Sequence, residues 1–74
     1  MDLKEFSKKS GGNIIKEARK SKNLTRYELQ KLSGITTVQI RNIENGISIP
    51  RAVTLAKIAE VLELDYDDLY DLFN

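Results

Sequence analysis

The chain has no cysteine and no histidine among its 74 residues, and no long apolar run. Without cysteine, neither a disulfide nor a thiolate metal site can staple the fold. Without histidine as well, zinc loses its usual ligands and acid–base chemistry its usual imidazole. No apolar stretch approaches the roughly 18 residues that a membrane span needs. Met1-Asp2-Leu3-Lys4 lacks the pattern of a secretory signal, so a cytoplasmic protein without membrane association is expected. Other absences argue against an enzyme. Gly11-Gly12 is not followed by the Lys-Ser/Thr of a phosphate-cradling loop. Asp65, Asp67 and Asp68 are spaced like helix caps, not like a catalytic pair. No metal, cofactor or small-molecule ligand is expected.

What remains to hold the chain together is a helical core of Leu, Ile, Val and Ala. A single domain of this size buries only roughly 60% of its unfolded surface. The net charge of +1 conceals an asymmetry. Residues 1–51 carry eleven of the twelve Lys and Arg but only five acids, at 2, 5, 17, 28 and 44. Residues 52–74 carry Lys57 alone against acids at 60, 63, 65, 67, 68 and 71. Such a division suits a basic face for a polyanion and an acidic end turned away from it. Solvated helix faces are the plainer alternative.

Along the chain, residues 1–12 read as a polar, lysine-rich arm or a short extra turn ahead of Gly11-Gly12, anchored only by Leu3 and Phe6, and 13–74 as the folded domain. Helix 1 is expected from about Asn13 to Lys22, with Ile14, Ile15 and Ala18 as its apolar edge and Asn23 closing it. Helix 2 opens with a capping box, Thr25-x-x-Glu28, and is expected to bury Leu29 and Leu32 before Gly34 stops it. Helix 3 opens with a second box, Thr36-x-x-Gln39, buries Ile40 and Ile43, and ends at Asn45-Gly46. Helix 4 is expected from near Pro50 to about Glu63. Val53, Ala56, Ile58, Ala59, Val61 and Leu62 make it apolar on most sides, hence central. Asp65 caps helix 5, which carries Leu69, Tyr70, Leu72 and Phe73. The result is an all-α, five-helix bundle.

Two short capped helices joined at a glycine, the second with a polar outer face, follow the plan of a helix-turn-helix. With Ile40 and Ile43 inward, Thr37, Val38, Arg41 and Asn42 face outward. Arg41 suits guanine O6 and N7, Asn42 suits adenine, and Thr37 and Val38 suit thymine methyls. Gln39 has two uses: its capping box, or a base or phosphate. Arg26, Thr36, Asn45, Ser48 and Arg51 flank helix 3 as phosphate donors, with Lys8 and Lys9 adding nonspecific attraction. On helix 5, Tyr66, Tyr70 and Phe73 recur at i, i+4 and i+7, as an exposed dimer seam or as closure of the monomer core.

From about Asn13 to Phe73 the chain resembles the phage repressor and Cro type of helix-turn-helix domain, the XRE-like family. The resemblance rests on Ile15-x-x-Ala18-Arg19, Leu24-Thr25-x-x-Glu28-Leu29, Ser33-Gly34-Ile35-Thr36, Ile40-x-x-Ile43-Glu44-Asn45-Gly46, Pro50, Leu55-Ala56-Lys57-Ile58-Ala59 and Asp68-Leu69. It implies a sequence-specific transcriptional regulator, a repressor in the usual case, bound as a homodimer to a palindromic site in double-stranded DNA. Base reading then falls to Thr37, Val38, Arg41 and Asn42, and phosphate contact to Arg26 and Asn45. It also implies an ion pair between Arg19 and Glu44, which removes both from the DNA surface. Two departures stand out. Gln30 replaces the usual small residue, so it must lie outward, bond across the turn or open the packing; Arg26 replaces the usual Gln. The competing function is a protein-interaction module, an antitoxin or partner-binding regulator, working through helix 5.

Overall fold

The computed structural model describes residues 3–73, with side chains from Ser10 onward. It consists of five helices: α1 (Leu3–Ser21), α2 (Arg26–Ser33), α3 (Thr37–Glu44), α4 (Ala52–Leu62) and α5 (Tyr66–Phe73). Among the described residues none is in a strand, and no helix is long and apolar enough to cross a membrane.

Local chemistry accounts for most helix ends. Asn23 takes a left-handed conformation, and the Leu24 N–H turns back to the Arg19 carbonyl, closing α1. Both capping boxes form. The Glu28 N–H donates to Thr25 Oγ1 at 3.0 Å and the Thr25 N–H to Glu28 Oε1 at 3.0 Å. The same exchange joins Gln39 and Thr36. Gly34, at φ 78°, ends α2 in the left-handed region that other residues enter at a cost. Asp65 Oδ1 accepts from the Asp68 N–H at the start of α5.

Donation from the Thr25 N–H, with a smaller contribution from the Thr25 side chain, holds the Glu28 carboxyl below its ordinary range. A depressed folded-state pKa means that this cap stabilises the protein above the unfolded-state value. The contribution is lost as pH falls through the folded value. Glu28→Gln is therefore expected to flatten the decline of the urea midpoint on acidification; an unchanged decline would assign it to other carboxylates.

Helix 1 differs from the sequence expectation. It starts at Leu3, not near Asn13, and runs unbroken through Gly11 and Gly12, both buried. The two glycines serve close packing. A Cβ on Gly11 would lie 2.6 Å from the Phe73 ring, and one on Gly12 would lie 2.4 Å from the Ile43 carbonyl oxygen. The side chains of Leu3, Phe6, Lys8 and Lys9, assigned to an arm, lie outside the described ones.

The core is built from Ile15, Leu29, Ile35, Ile40, Ile43, Leu55, Ile58, Ala59, Leu62, Leu69 and Phe73. Helix 1 packs against α3, α4 and α5, and α2 against α3 and α4. Leu32 is 61% exposed, contrary to its expected burial. With Leu29 fully inward, a three-residue step leaves Leu32 about 60° off the core direction. Ile35, just past the turn, is buried in the core instead. Helix 4 is likewise buried on one face, through Leu55, Ile58, Ala59 and Leu62, while Val53 and Ala56 are exposed. Of the expected apolar edge of α1, Ile15 is buried, Ala18 half-buried and Ile14 exposed.

Candidate nucleic-acid interface

Helix 3 presents a sharply divided surface. Ile40, Ile43 and Glu44 are buried. Val38, Gln39, Arg41 and Asn45 are exposed, and Thr37 and Asn42 half-buried. The outward set thus contains a methyl-bearing pair, a guanidinium and an amide, the groups that complement base edges in a major groove. Gln39 is spoken for by the capping box: its Oε1 accepts from the Thr36 N–H at 3.1 Å and from the Thr36 hydroxyl at 3.0 Å.

The inner side of α3 is fixed to α1 and α2 by an ionic cluster. Arg19, 7% exposed, donates from Nε to Glu44 Oε2 at 2.7 Å and from Nη2 to Oε1 at 3.1 Å. Its Nη1 donates to the Leu24 carbonyl at 2.7 Å. The Arg26 Nε also donates to Glu44 Oε1, at 3.0 Å. No buried side-chain polar atom among the described residues lacks a partner. Sequence reasoning assigned Arg26 to phosphate alone and missed its bond to Glu44. The available signal was a carboxylate with room for more than one guanidinium. The Nε of Arg26 is committed to Glu44, while about a third of its side chain stays exposed.

Gln30 bonds across the turn: its Oε1 accepts from the Thr37 N–H at 2.7 Å. The segment after α3 is pinned by the Asn42 carbonyl, which accepts from the Ile47 and Ser48 N–H groups. A surface cleft then joins Gln39 to Ser48 and Arg51, so these two expected phosphate donors share a wall with α3. Arg51 precedes α4 as its N-cap, without a side-chain cap bond.

The expected seam on α5 is not a continuous exposed stripe. Phe73 is 6% exposed and belongs to the core, against Gly11. Tyr66 is half-buried against that core, while Tyr70 is 41% exposed, and the two rings lie 5.8 Å apart. A charge at Phe73 would therefore disrupt the monomer and report nothing about a dimer. Larger apolar exposure occurs after α3, at Ile47, Ile49 and Val53.

Comparison with known proteins matches this architecture. The family model described as helix-turn-helix, HTH_3, matches residues 15–69. The ImmF control region 10 kDa protein of Bacillus phage phi105 is 38% identical over 58 residues, covering 78% of this chain and 64% of that protein. The HTH-type transcriptional repressor RghR of Bacillus subtilis (strain 168) is 34% identical over 61 residues, covering 81% of this chain and 45% of the repressor. A crystal structure of an HTH_3 family transcriptional regulator from Vibrio cholerae superposes with a TM-score of 0.77 at 30% identity. That match covers 95% of this chain and 39% of the regulator. The chain thus spans about two-thirds of the phage protein and under half of the other two. On a match that runs from within its first helix to within its last, the chain belongs to the HTH_3 helix-turn-helix family, of the XRE type.

Proposed function

We propose that this chain is the sequence-specific DNA-binding module of a transcriptional regulator, a repressor acting in the cytoplasm. It occupies a palindromic operator as a dimer with α3 in the major groove. The observation that carries this reading is the division of α3. Its inner face is anchored by Ile40, Ile43 and Glu44, while Val38 and Arg41 stand exposed beside half-buried Thr37 and Asn42. The names of the related repressor and regulator support it. Arg26, Asn45, Ser48 and Arg51 supply donors for phosphates on either side of the groove. Thr36 contributes less than its sequence position suggests, because its hydroxyl already serves the capping box. Tyr66 and Tyr70 remain the part of the α5 seam open to a second copy.

The test is selection from a random duplex pool at about 150 mM salt, where phosphate contacts alone bind weakly. An inverted repeat with half-sites about one helical turn apart supports both DNA reading and the dimer. A single short site retains the reading and removes the dimer. No enrichment by a folded protein moves the function to a protein partner on the α5 side. On the selected site, Arg41→Ala is expected to cost about 1–3 kcal/mol of discrimination at one base pair. Competition binding against single-base variants checks this; equal loss for all sequences would make Arg41 a phosphate contact instead.

A further inference from the structure

We propose that Gln30 is a positioning residue for the DNA-reading end of α3, acting through the backbone amide of Thr37; this rests on the DNA reading above. The first N–H groups of any helix have no partner within it. In α3, the Thr36–Gln39 box satisfies the amides of Thr36 and Gln39. The Thr37 amide, at the first helical residue, is taken by Gln30 Oε1 at 2.7 Å, from a side chain seven residues earlier on the neighbouring helix. Gln30 is half-buried and follows Leu29, which is fully buried, so the root of the side chain is fixed in α2.

The bond has two consequences. It ties the start of α3 to the body of α2 independently of the turn at Gly34 and of the ionic cluster at the far end of α3. The position of Thr37 and Val38 over a groove is then set at both ends of the helix. It also commits the Thr37 amide to the protein, withdrawing it from the donors that a phosphate could use. A small residue at position 30 can do neither. The length and carbonyl of Gln30 therefore belong to the specificity machinery, although the side chain sits on the helix that does not enter the groove.

Gln30→Ala, Gln30→Glu and the wild type separate this role from simple stability. Ala is a better helix former than Gln, so Gln30→Ala is expected to fold; Gln30→Glu keeps the acceptor and serves as the conservative rescue. The readouts are amide hydrogen exchange at Thr37 and competition binding to single-base variants of the selected site. In Gln30→Ala the Thr37 amide should exchange faster. Preference at the base pairs under Thr37 and Val38 should fall about 2- to 10-fold, the equivalent of one net hydrogen bond. Affinity for random duplex should stay within about twofold. Gln30→Glu should restore Thr37 protection and the preference, with weaker binding to all DNA. An unchanged preference in Gln30→Ala overturns the proposal, as does a Thr37 amide that is unprotected in the wild type. Failure of the wild type to enrich any duplex overturns the DNA reading itself, and this proposal with it. That result is distinguished by occurring before any variant is made.

Discussion

Replacing Glu44 with Ala is expected to remove a large share of the stability of the fold. The Glu44 side chain has no solvent exposure and holds two guanidinium groups, those of Arg19 and Arg26. Arg26 can turn to water, since about a third of its side chain is exposed, but Arg19 cannot. Removing one partner from a buried pair typically costs about 3–5 kcal/mol, because the other charge stays buried and uncompensated. At about 0.05–0.15 kcal/mol per residue, a domain of this length has roughly 4–11 kcal/mol in total. Each kcal/mol lowers the melting temperature of so small a domain by about 4–8 °C, so the expected fall is roughly 12–40 °C. Thermal unfolding followed by circular dichroism decides it; a fall of less than about 5 °C would show that water reaches Arg19. Replacing Arg19 and Glu44 together with Met and Leu should recover much of the loss, since apolar residues of similar volume remove both charges at once.

Gly12→Ala is expected to destabilise the fold by at least the 1–3 kcal/mol typical of overpacking. Helix propensity alone points the other way, since Ala is favoured over Gly by about 1 kcal/mol within a helix. The added Cβ, however, would lie 2.4 Å from the Ile43 carbonyl oxygen and 2.8 Å from that of Glu44. Both are backbone atoms and cannot rotate aside, so α1 must back away from α3. That movement also pulls Arg19 from Glu44, two turns further along. Gly11→Ala is the control. Its new atom meets the Phe73 ring at 2.6 Å, a side chain that can shift, and its loss should be smaller. Urea unfolding of the two variants gives the order directly. A Gly12→Ala protein as stable as Gly11→Ala would mean that the two helices have slack.

These glycines also mark the limit of what the sequence discloses. The capping boxes at Thr25 and Thr36, and the left-handed residue at Gly34, are visible because cause and effect lie within four residues. Gly11-Gly12 looks like a helix breaker by the same local rules. Only the Phe73 ring beside Gly11 and the carbonyls of Ile43 and Glu44 beside Gly12, thirty or more positions away, explain why glycines stand inside a helix. Phe73 fails for a related reason. Its spacing with Tyr66 and Tyr70 defines a stripe, but the pocket that takes its ring is made by α1. The outward set on α3 was legible from the inward placement of Ile40 and Ile43. The support beneath it was less so: Gln30 had three possible placements, and the bond from Arg26 to Glu44 crosses eighteen positions and no motif.

The contact between Phe73 and Gly11 has a consequence for biosynthesis. The last core residue seats against the first helix, so the core is sealed by positions at opposite ends of the described chain. A nascent polypeptide that has extruded α1 to α4 still lacks the side chains that α5 lays over α1, and cannot close. Chains normally fold in the order in which they emerge. Here closure of the domain waits for the seventy-third residue to clear the ribosome, so the five helices complete their shared core together and not one after another.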